Sequence, residues 1–372
     1  MATGRGPIVL TGGDPAGVAP ELVLDLIPDL DQAASGPNPH SVLYFATAGD
    51  LHIEQFLAAS AERGLPARVL GMQDANVAGI VSAAGVSIVD VRELCSEVPG
   101  DYEPRAGEPD AAGGSLAFAA LKAACDLATA RIGPNENSPG AADRNNRPDA
   151  GLGAPPAGIV TAPLSKEWVA RGGQADFRGH TEYLAARFER DVIMLMHGER
   201  FSVIPLTVHI ALSEVPQALK RRMADPALPR LLEQVLAGPA YNQGRVALCG
   251  LNPHCGDGGL FGREDQEFIA DWCEAMRERG IPLDGPLPAD TLFTEGVRDR
   301  YRLILSCYHD QGLIPFKALE GHAGVNATIG LPLVRTSPDH GTAFDIAGRG
   351  VAQAESLRAA FRVIARGELS GF

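Results

Sequence analysis

Short apolar runs alternate along the 372-residue chain with longer stretches whose apolar residues recur every three or four positions. The runs at 8–11, 42–47, 158–161, 192–196, 201–206, 246–250 and 303–307 predict strands. Several, such as Ile8-Val9-Leu10 and Leu303-Ile304-Leu305, are continuous rather than alternating, the pattern of strands covered on both faces. Helical spacing predicts helices over 20–27, 115–131, 212–223 and 264–279. The first is expected to stop before Pro28, which cannot continue a helix. The last opens on acids and closes on Arg-Glu-Arg-Gly, matching the helix dipole and a glycine stop. The expected fold class is α/β, in two domains at about 100–200 residues each.

Composition sharpens this. Aromatics make up only 6% of the chain, which suits parallel sheets under helices better than an all-β sandwich. Between 132 and 156 almost no large apolar residue occurs, so this stretch is expected to be a mobile surface insertion. The formal net charge of −14 argues against nucleic acid as a partner, while leaving small anionic substrates open, since a pocket needs only a few placed cations. The six cysteines form no CxxC pair and read as reduced thiols. No signal peptide or membrane span is recognised, and a cytoplasmic location without a membrane partner is expected.

Candidate chemistry sits where apolar strands run out into glycine, proline and polar residues, the edge at which open α/β sheets bind ligands. Ile8 leads into a Gly-rich turn and then Pro20-Glu21, a turn whose backbone N–H groups suit an anion but which is not GxGxxG. No dinucleotide fingerprint follows any predicted strand, so an ordinary Rossmann domain is not expected. Ser165 and Lys166 after the 158–161 run, and His180-Thr181 beside a glycine, are polar sets suited to an anion, or ordinary helix-start residues. His209, His254 and His309 each follow an apolar run. Three such imidazoles are able to converge on one divalent metal, with Asp290 or Asp310 as carboxylates, although ordinary histidines are the commoner occupants of such positions. Lys317, Asn326 and Arg335 supply two cations and an amide, which suit a phosphate pocket or a solvated face. The glycine-rich segment 339–350, with Asp345, is either a nucleotide-wrapping loop or a connection into the final helix.

Seven of these segments occur in one order: GGDPAGVAPE, VTAPLSKE, GHTEYLA, CGLNPHCGDGG, GPLPADT, YHDQGLIPFK and VNATIGLPLVRTSPDHGTAFDIAGRG. Together they closely resemble the 4-hydroxythreonine-4-phosphate dehydrogenase family of pyridoxal phosphate biosynthesis, from Ile8 to about Gly350 and skipping the insertion. The resemblance implies a fold like that of isocitrate and isopropylmalate dehydrogenases, two α/β/α domains flanking a cleft. The expected division places 1–160 with 320–372 on the cofactor side and 161–319 on the metal and dimer side. It implies a homodimer with the active site at the interface. It implies His209, His254 and His309 as ligands of one divalent metal (Zn2+, Mg2+, Mn2+ or Co2+). His180, Thr181, Lys317, Asn326 and Arg335 fall on substrate-binding positions. NAD or NADP would lie along His340, Gly341, Thr342 and Asp345. The sequence departs from the family at Cys255 and Asp257, where alanine and glutamate are usual.

The implied reaction is metal-assisted oxidation of 4-hydroxythreonine-4-phosphate, with Lys317, Asp290 and Asp310 as candidate bases, followed by loss of CO2 from the β-keto acid. Within the fold, threonate or erythronate 4-phosphate and aromatic cis-dihydrodiols are alternative substrates. From other classes, a non-catalytic metabolite-binding protein or a phosphate-acetyltransferase-like enzyme remains open.

Overall fold

The computed structural model describes residues 6–36, 39–71, 84–132 and 155–370. The chain folds as two compact units: residues 1–190 with 331–367, and residues 191–330 with 368–372. The first unit opens with strands β1 (Ile8–Thr11), β2 (Ser41–Ala46), β3 (Ala67–Leu70), β4 (Gly85–Asp90) and β5 (Gly158–Thr161). The second holds β6 (Ile193–His197), β7 (Ser202–Pro205), β8 (Val246–Cys249), β9 (Leu283–Leu287), β10 (Leu303–Ser306) and β11 (Val325–Ile329). The chain then returns to the first unit with β12 (Val334–Pro338). The α/β class expected from the alternating runs is the class that forms.

In the first unit the strand order is β3-β4-β2-β1-β5-β12, every pair parallel. Parallel sheets need helices on their faces, and the apolar strands Ile8–Thr11 and Gly158–Thr161 are buried throughout. One cover is the helix Ala111–Ile132, whose Leu116, Ala120, Leu121 and Ala124 are inaccessible. The expectation that no segment approaches a membrane span meets an exception here. The stretch Ala111–Ala130 is long and apolar enough by length and composition, but its apolarity is explained by core packing against β1 and β2. A second cover is the amphipathic helix Glu355–Arg366, which buries Leu357, Ala360, Phe361 and Ile364 against β5 and β12.

In the second unit the order is β11-β6-β7-β10-β8-β9. The pairs β11/β6 and β6/β7 are antiparallel, whereas β7/β10, β10/β8 and β8/β9 are parallel. Phe201, Val203, Ile304, Leu313 and Phe316 form its core, with Phe201 and Phe316 edge to face at 5.7 Å.

Two predicted helices differ in detail. The helix expected to end before Pro28 spans Ala19–Asp25, and a new one, Ile27–Ser35, starts with Pro28 in its first turn, where a missing N–H costs nothing. The predicted helix 264–279 begins as a π-turn, Asp265–Ile269, and continues as Ala270–Glu278. Of the predicted insertion, residues 133–154 lie outside the described residues.

One buried carboxylate organises the β6–β7 connection. Glu320 accepts the backbone N–H groups of Glu199, Arg200 and Phe201 at 3.0, 3.1 and 3.2 Å. Hydrogen bonds to a charged group contribute about 1.5–3 kcal/mol each and are not additive, so Glu320→Ala is expected to lower unfolding stability by about 2–4 kcal/mol. Urea denaturation checks this, and an unchanged midpoint refutes it.

Candidate active site

Strand polarity decides where the three candidate histidines go. β7, β10 and β8 are consecutive neighbours in the second unit and all run the same way. Neighbouring strands lie about 4.8 Å apart, so their C-terminal exits fall on one short edge. His209 follows β7, His309 follows β10 and His254 follows β8. The rings of His209 and His309 stand 5.6 Å apart between centroids. That separation lets one divalent cation reach a nitrogen of each, given metal–nitrogen bonds of about 2.1 Å. Among the described residues of one chain, no third His, Cys, Asp or Glu joins them closely enough to complete a metal site. His254 is exposed on the turn after β8.

The backbone at this edge is strained. His209 and His254 adopt φ of 49° and 51°, left-handed conformations that cost non-glycine residues roughly 1–2 kcal/mol each. Such outliers persist where surrounding structure imposes them, and they concentrate at functional sites. His309 opens the helix His309–Glu320, and its Nδ1 lies 2.7 Å from Asp310 Oδ1. A carboxylate only accepts there, so Nδ1 is the donor, and in the neutral ring this leaves the lone pair on Nε2, the arrangement that orients an imidazole for a metal. Asp310, a candidate base, is therefore engaged with His309. Asp290 and Lys317 are both exposed, Asp290 on the short helix Ala289–Leu292 and Lys317 on the His309 helix. Cys255 is half-buried, and burial, with Asp265 and Asp290 nearby, pushes its thiol up to about 11.

The first unit gathers cations instead. Arg335 lies buried on β12, its Nε and Nη2 donating to Thr161 Oγ1 of β5 at 3.1 and 2.7 Å. Burial lowers its guanidinium to about 10. His180 and Thr181 open the helix His180–Phe188, whose N-cap Gly179 provides no side-chain cap among the described residues. His180 Nε2 is buried without a hydrogen-bond partner among the described residues. Burial, then the charges of Arg335 and Lys166, hold the ring well below the usual histidine range, so it is neutral. The Lys166 amine lies beside Gly179, immediately before this helix. An orphaned ring nitrogen, two cations and a helix N-terminus make a cradle for an anion. Lys317 and Asn326, the other substrate-binding candidates, belong to the second unit, where Asn326 Oδ1 is buried without a hydrogen-bond partner among the described residues.

The strand order of the first unit has a switch point at β1. From β1 the chain moves to β2 on one side, while β5 pairs on the other, which opens a crevice between the two strand ends. Sequence reasoning missed Asp14, which sits at that crevice. Its Oδ1 accepts the Ala16 N–H at 3.1 Å, and its Oδ2 is buried without a partner among the described residues. Burial outweighs the Ala16 bond and, with Asp110 nearby, pushes the carboxyl up to about 6. The signal available in the sequence was an acid inside a glycine–proline turn, which reads as ordinary turn chemistry.

The glycine-rich segment 339–350 packs on the first βα turn. Its Thr342 carbonyl accepts the Val18 N–H at 2.9 Å, and a side chain at Gly17 would come within 2.7 Å of that oxygen. Glu21 accepts the N–H groups of Gly348 and Gly350 at 3.2 and 3.1 Å. Close backbone packing accounts for part of the glycine-rich motif, and the loop leaves His340, Gly341 and Asp345 exposed.

An α/β fold with imidazoles at the exits of adjacent parallel strands in one unit, and a buried arginine near an exposed lysine in the other, has the architecture of an α/β enzyme as a class. The chain belongs to the family described as pyridoxal phosphate biosynthetic protein PdxA, whose model matches residues 154–364. It is 38% identical over 365 residues to the 4-hydroxythreonine-4-phosphate dehydrogenase of Paracoccus denitrificans, covering 96% of each chain. Its fold matches the crystal structure of the 4-hydroxythreonine-4-phosphate dehydrogenase of Klebsiella pneumoniae with a TM-score of 0.67, at 30% identity, over 98% of this chain and 100% of that one. A terephthalate 1,2-cis-dihydrodiol dehydrogenase from Burkholderia xenovorans shares the fold at a TM-score of 0.56 and 24% identity, over 98% of each chain. The chain is accordingly an oxidoreductase of the dehydrogenase class.

Asp14 gives a pH signature. Its folded value lies above the ordinary carboxylate value of 3.8, so between about pH 4 and 6 the folded state keeps a proton that the unfolded chain has released. Stability therefore falls as pH rises through that window. Asp14→Asn removes this loss and is expected to gain stability relative to the parent, by at most about 3 kcal/mol at pH 7 and by little at pH 4. Urea midpoints at the two pH values check it, and parallel profiles refute it.

Proposed function

We propose that the chain oxidises 4-hydroxythreonine-4-phosphate with NAD or NADP in pyridoxal phosphate biosynthesis, as a homodimer that uses a divalent metal. The observation that carries this reading is the delivery of His209, His309 and His254 by three adjacent parallel strands, in a chain of the PdxA family. These imidazoles suit Zn2+ or Co2+ and admit Mg2+ or Mn2+. When bound, the cation would acidify the substrate hydroxyl and the nicotinamide would accept the hydride. His180, Thr181 and Arg335 of the first unit would hold the phosphate; Lys317 and Asn326 are the substrate-binding candidates of the second unit. Lys317 or Asp290 would take the hydroxyl proton, while Asp310 keeps His309 in its donor tautomer. His340, Gly341, Thr342 and Asp345 would line the cofactor. The oxidised product is a β-keto acid, which sheds CO2 to give 3-amino-2-oxopropyl phosphate.

The surface around the histidines supports a second copy as the missing partner. Val208, Ile210 and Leu212 flank His209, Leu260 and Phe261 follow the His254 turn, and Ile314 lies on the His309 helix; all six are exposed large apolar side chains. Exposed apolar groups concentrated in this way mark an association surface. A second copy seated there would exclude water and bring a third imidazole to the two that one chain gathers.

A phosphorylated substrate is favoured over a dihydrodiol by the buried Arg335 and the unpartnered His180 Nε2. Threonate and erythronate 4-phosphates share that phosphate and are the second reading. Reduction of NAD is expected to be fastest with 4-hydroxythreonine-4-phosphate and abolished by a chelator. Turnover confined to the two sugar-acid phosphates would move the assignment to them, and chelator-insensitive turnover would remove the metal. Replacing His209, His254 or His309 with alanine is expected to lower kcat at least about a thousandfold with unchanged circular dichroism, and full activity would refute the ligand roles. Ile210→Asp with Phe261→Asp is expected to give an inactive monomer by light scattering, whereas an active monomer would refute the shared site.

A further inference from the structure

The three histidine-bearing strand exits are joined by hydrogen bonds that the ligand roles leave unexplained. Thr207 Oγ1, at the end of β7, donates to the Cys307 carbonyl at the end of β10, at 2.7 Å. The Cys307 N–H donates to Gln311 Oε1 at 2.7 Å, and Gln311 Nε2 donates to the Gly250 carbonyl at the end of β8, also at 2.7 Å. Gln311 thus spans from the His309 exit to the His254 exit with both ends of one amide. Beyond Gly250 a buried carboxylate takes over. Asp265, 1% exposed, accepts the Leu251 N–H at 2.8 Å, the Asn252 N–H at 3.0 Å and Asn252 Nδ2 at 3.0 Å.

The chain these groups hold is under unusual strain. His254, Cys255, Gly256, Asp257 and Gly258 are successively left-handed, with φ of 51°, 54°, 82°, 42° and 68°. Three of the five carry side chains, at a cost of roughly 1–2 kcal/mol each. Such a run endures only where its flanks over-determine it. Asp265 and Gln311 are that determination on the amino-terminal flank. The fit is tight enough that a side chain at Gly250 would meet Cys255 Sγ at 2.7 Å and Asp265 Oδ1 at 3.0 Å. Asp265 also opens the π-turn Asp265–Ile269, an irregularity that recurs at functional sites.

We propose that Asp265 and Gln311 are positioning residues for the metal site: Gln311 sets the spacing between the His309 and His254 exits, and Asp265 holds the left-handed turn that presents His254. The proposal rests on the reading of these histidines as metal ligands. Neither residue touches the metal in this scheme. Both act through the backbone that carries a ligand, as groups outside the ligand shell do when their loss costs about 10–100-fold in metal affinity.

The test uses the metal-stripped homodimer and Co2+ as the probe, read by calorimetry and by the visible absorption of bound Co2+, which reports ligand geometry. Asp265→Asn replaces an acceptor with a donor facing backbone N–H groups, and Gln311→Glu removes the donor to Gly250 while keeping the acceptor for Cys307. Each is expected to weaken Co2+ about 10–100-fold and to shift the visible bands, with NAD affinity unchanged. Asp265→Glu, which retains the carboxylate, is expected to recover part of the affinity. If Asp265→Asn does not assemble, Gln311→Glu carries the test from the other side of the turn. Parent-like Co2+ affinity and spectrum in both Gln311→Glu and Asp265→Asn, with His254→Ala binding lost, would overturn the positioning role and leave the metal site standing. Equal Co2+ binding by the parent and His254→Ala would instead overturn the metal reading on which the proposal rests.

Discussion

Parallel pairing of β7, β10 and β8 is the constraint on which the rest of the second unit depends. Residues separated by about a hundred positions become neighbours only because three strands of like direction end together. A parallel pair cannot be closed by a tight turn, so each return crosses over through helices, and the chain between exits is long. The same crossovers cover the sheet and make its strands continuous apolar runs, with Val246–Cys249 and Leu303–Ser306 buried throughout. Polar chemistry is thereby pushed off the strands and onto their carboxyl ends. The histidines are where they are because a covered parallel sheet has few other places for them.

Delivering side chains to an edge is not enough, since an edge made of loops is soft. The structure stiffens it in two ways. Thr207, Gln311 and Asp265 bond to backbone rather than to one another, so they set the course of the chain and leave the imidazoles' own ring nitrogens for other partners. The left-handed residues add strain that only this scaffold supports, and relaxing any one support would let the turn revert to commoner conformations. In the first unit the equivalent stiffening is electrostatic. Arg335 is held by Thr161 from the neighbouring strand, and the carboxylate of Glu182 helps to keep it charged despite its burial.

What could be read from the sequence follows the same physics. The continuous apolar strands at 8–11, 158–161 and 303–307 were legible because burial on both faces leaves no polar position to confuse the period. β9, with the sequence LDGPL, and β12, with VRTSP, were not, because glycine, proline and buried polar residues argue against a strand unless their tertiary partners are known. The histidines were legible as strand exits, but the proximity of His209 to His309 was not, since the order β7-β10-β8 is absent from the linear chain. Asp265 reads in sequence as a dipole-favoured acid at a helix start, and Gln311 as one more polar residue of a helix. Their roles exist only in the folded backbone they bond.

In the proposed reading, His180, Arg335 and Lys166 form a cradle for the substrate phosphate, and its charge pattern has a consequence for the ligand it accepts. The chain carries a formal net charge of −14, so its overall field opposes a phosphorylated substrate. A phosphate monoester bears roughly −1.5 to −2 at neutral pH, and Arg335 with Lys166 supplies two positive charges near His180. A third cation would over-compensate in a buried place where excess charge is costly. Keeping His180 neutral avoids that and still offers one N–H donor. The ring is neutral first because of its burial and then because of the two cations, so an arriving phosphate that screens them would remove only the second of these causes. In the proposed reading, the cradle is thus matched to a dianion in a way that it is not matched to a singly charged carboxylate, and this local matching would override the sign of the whole molecule.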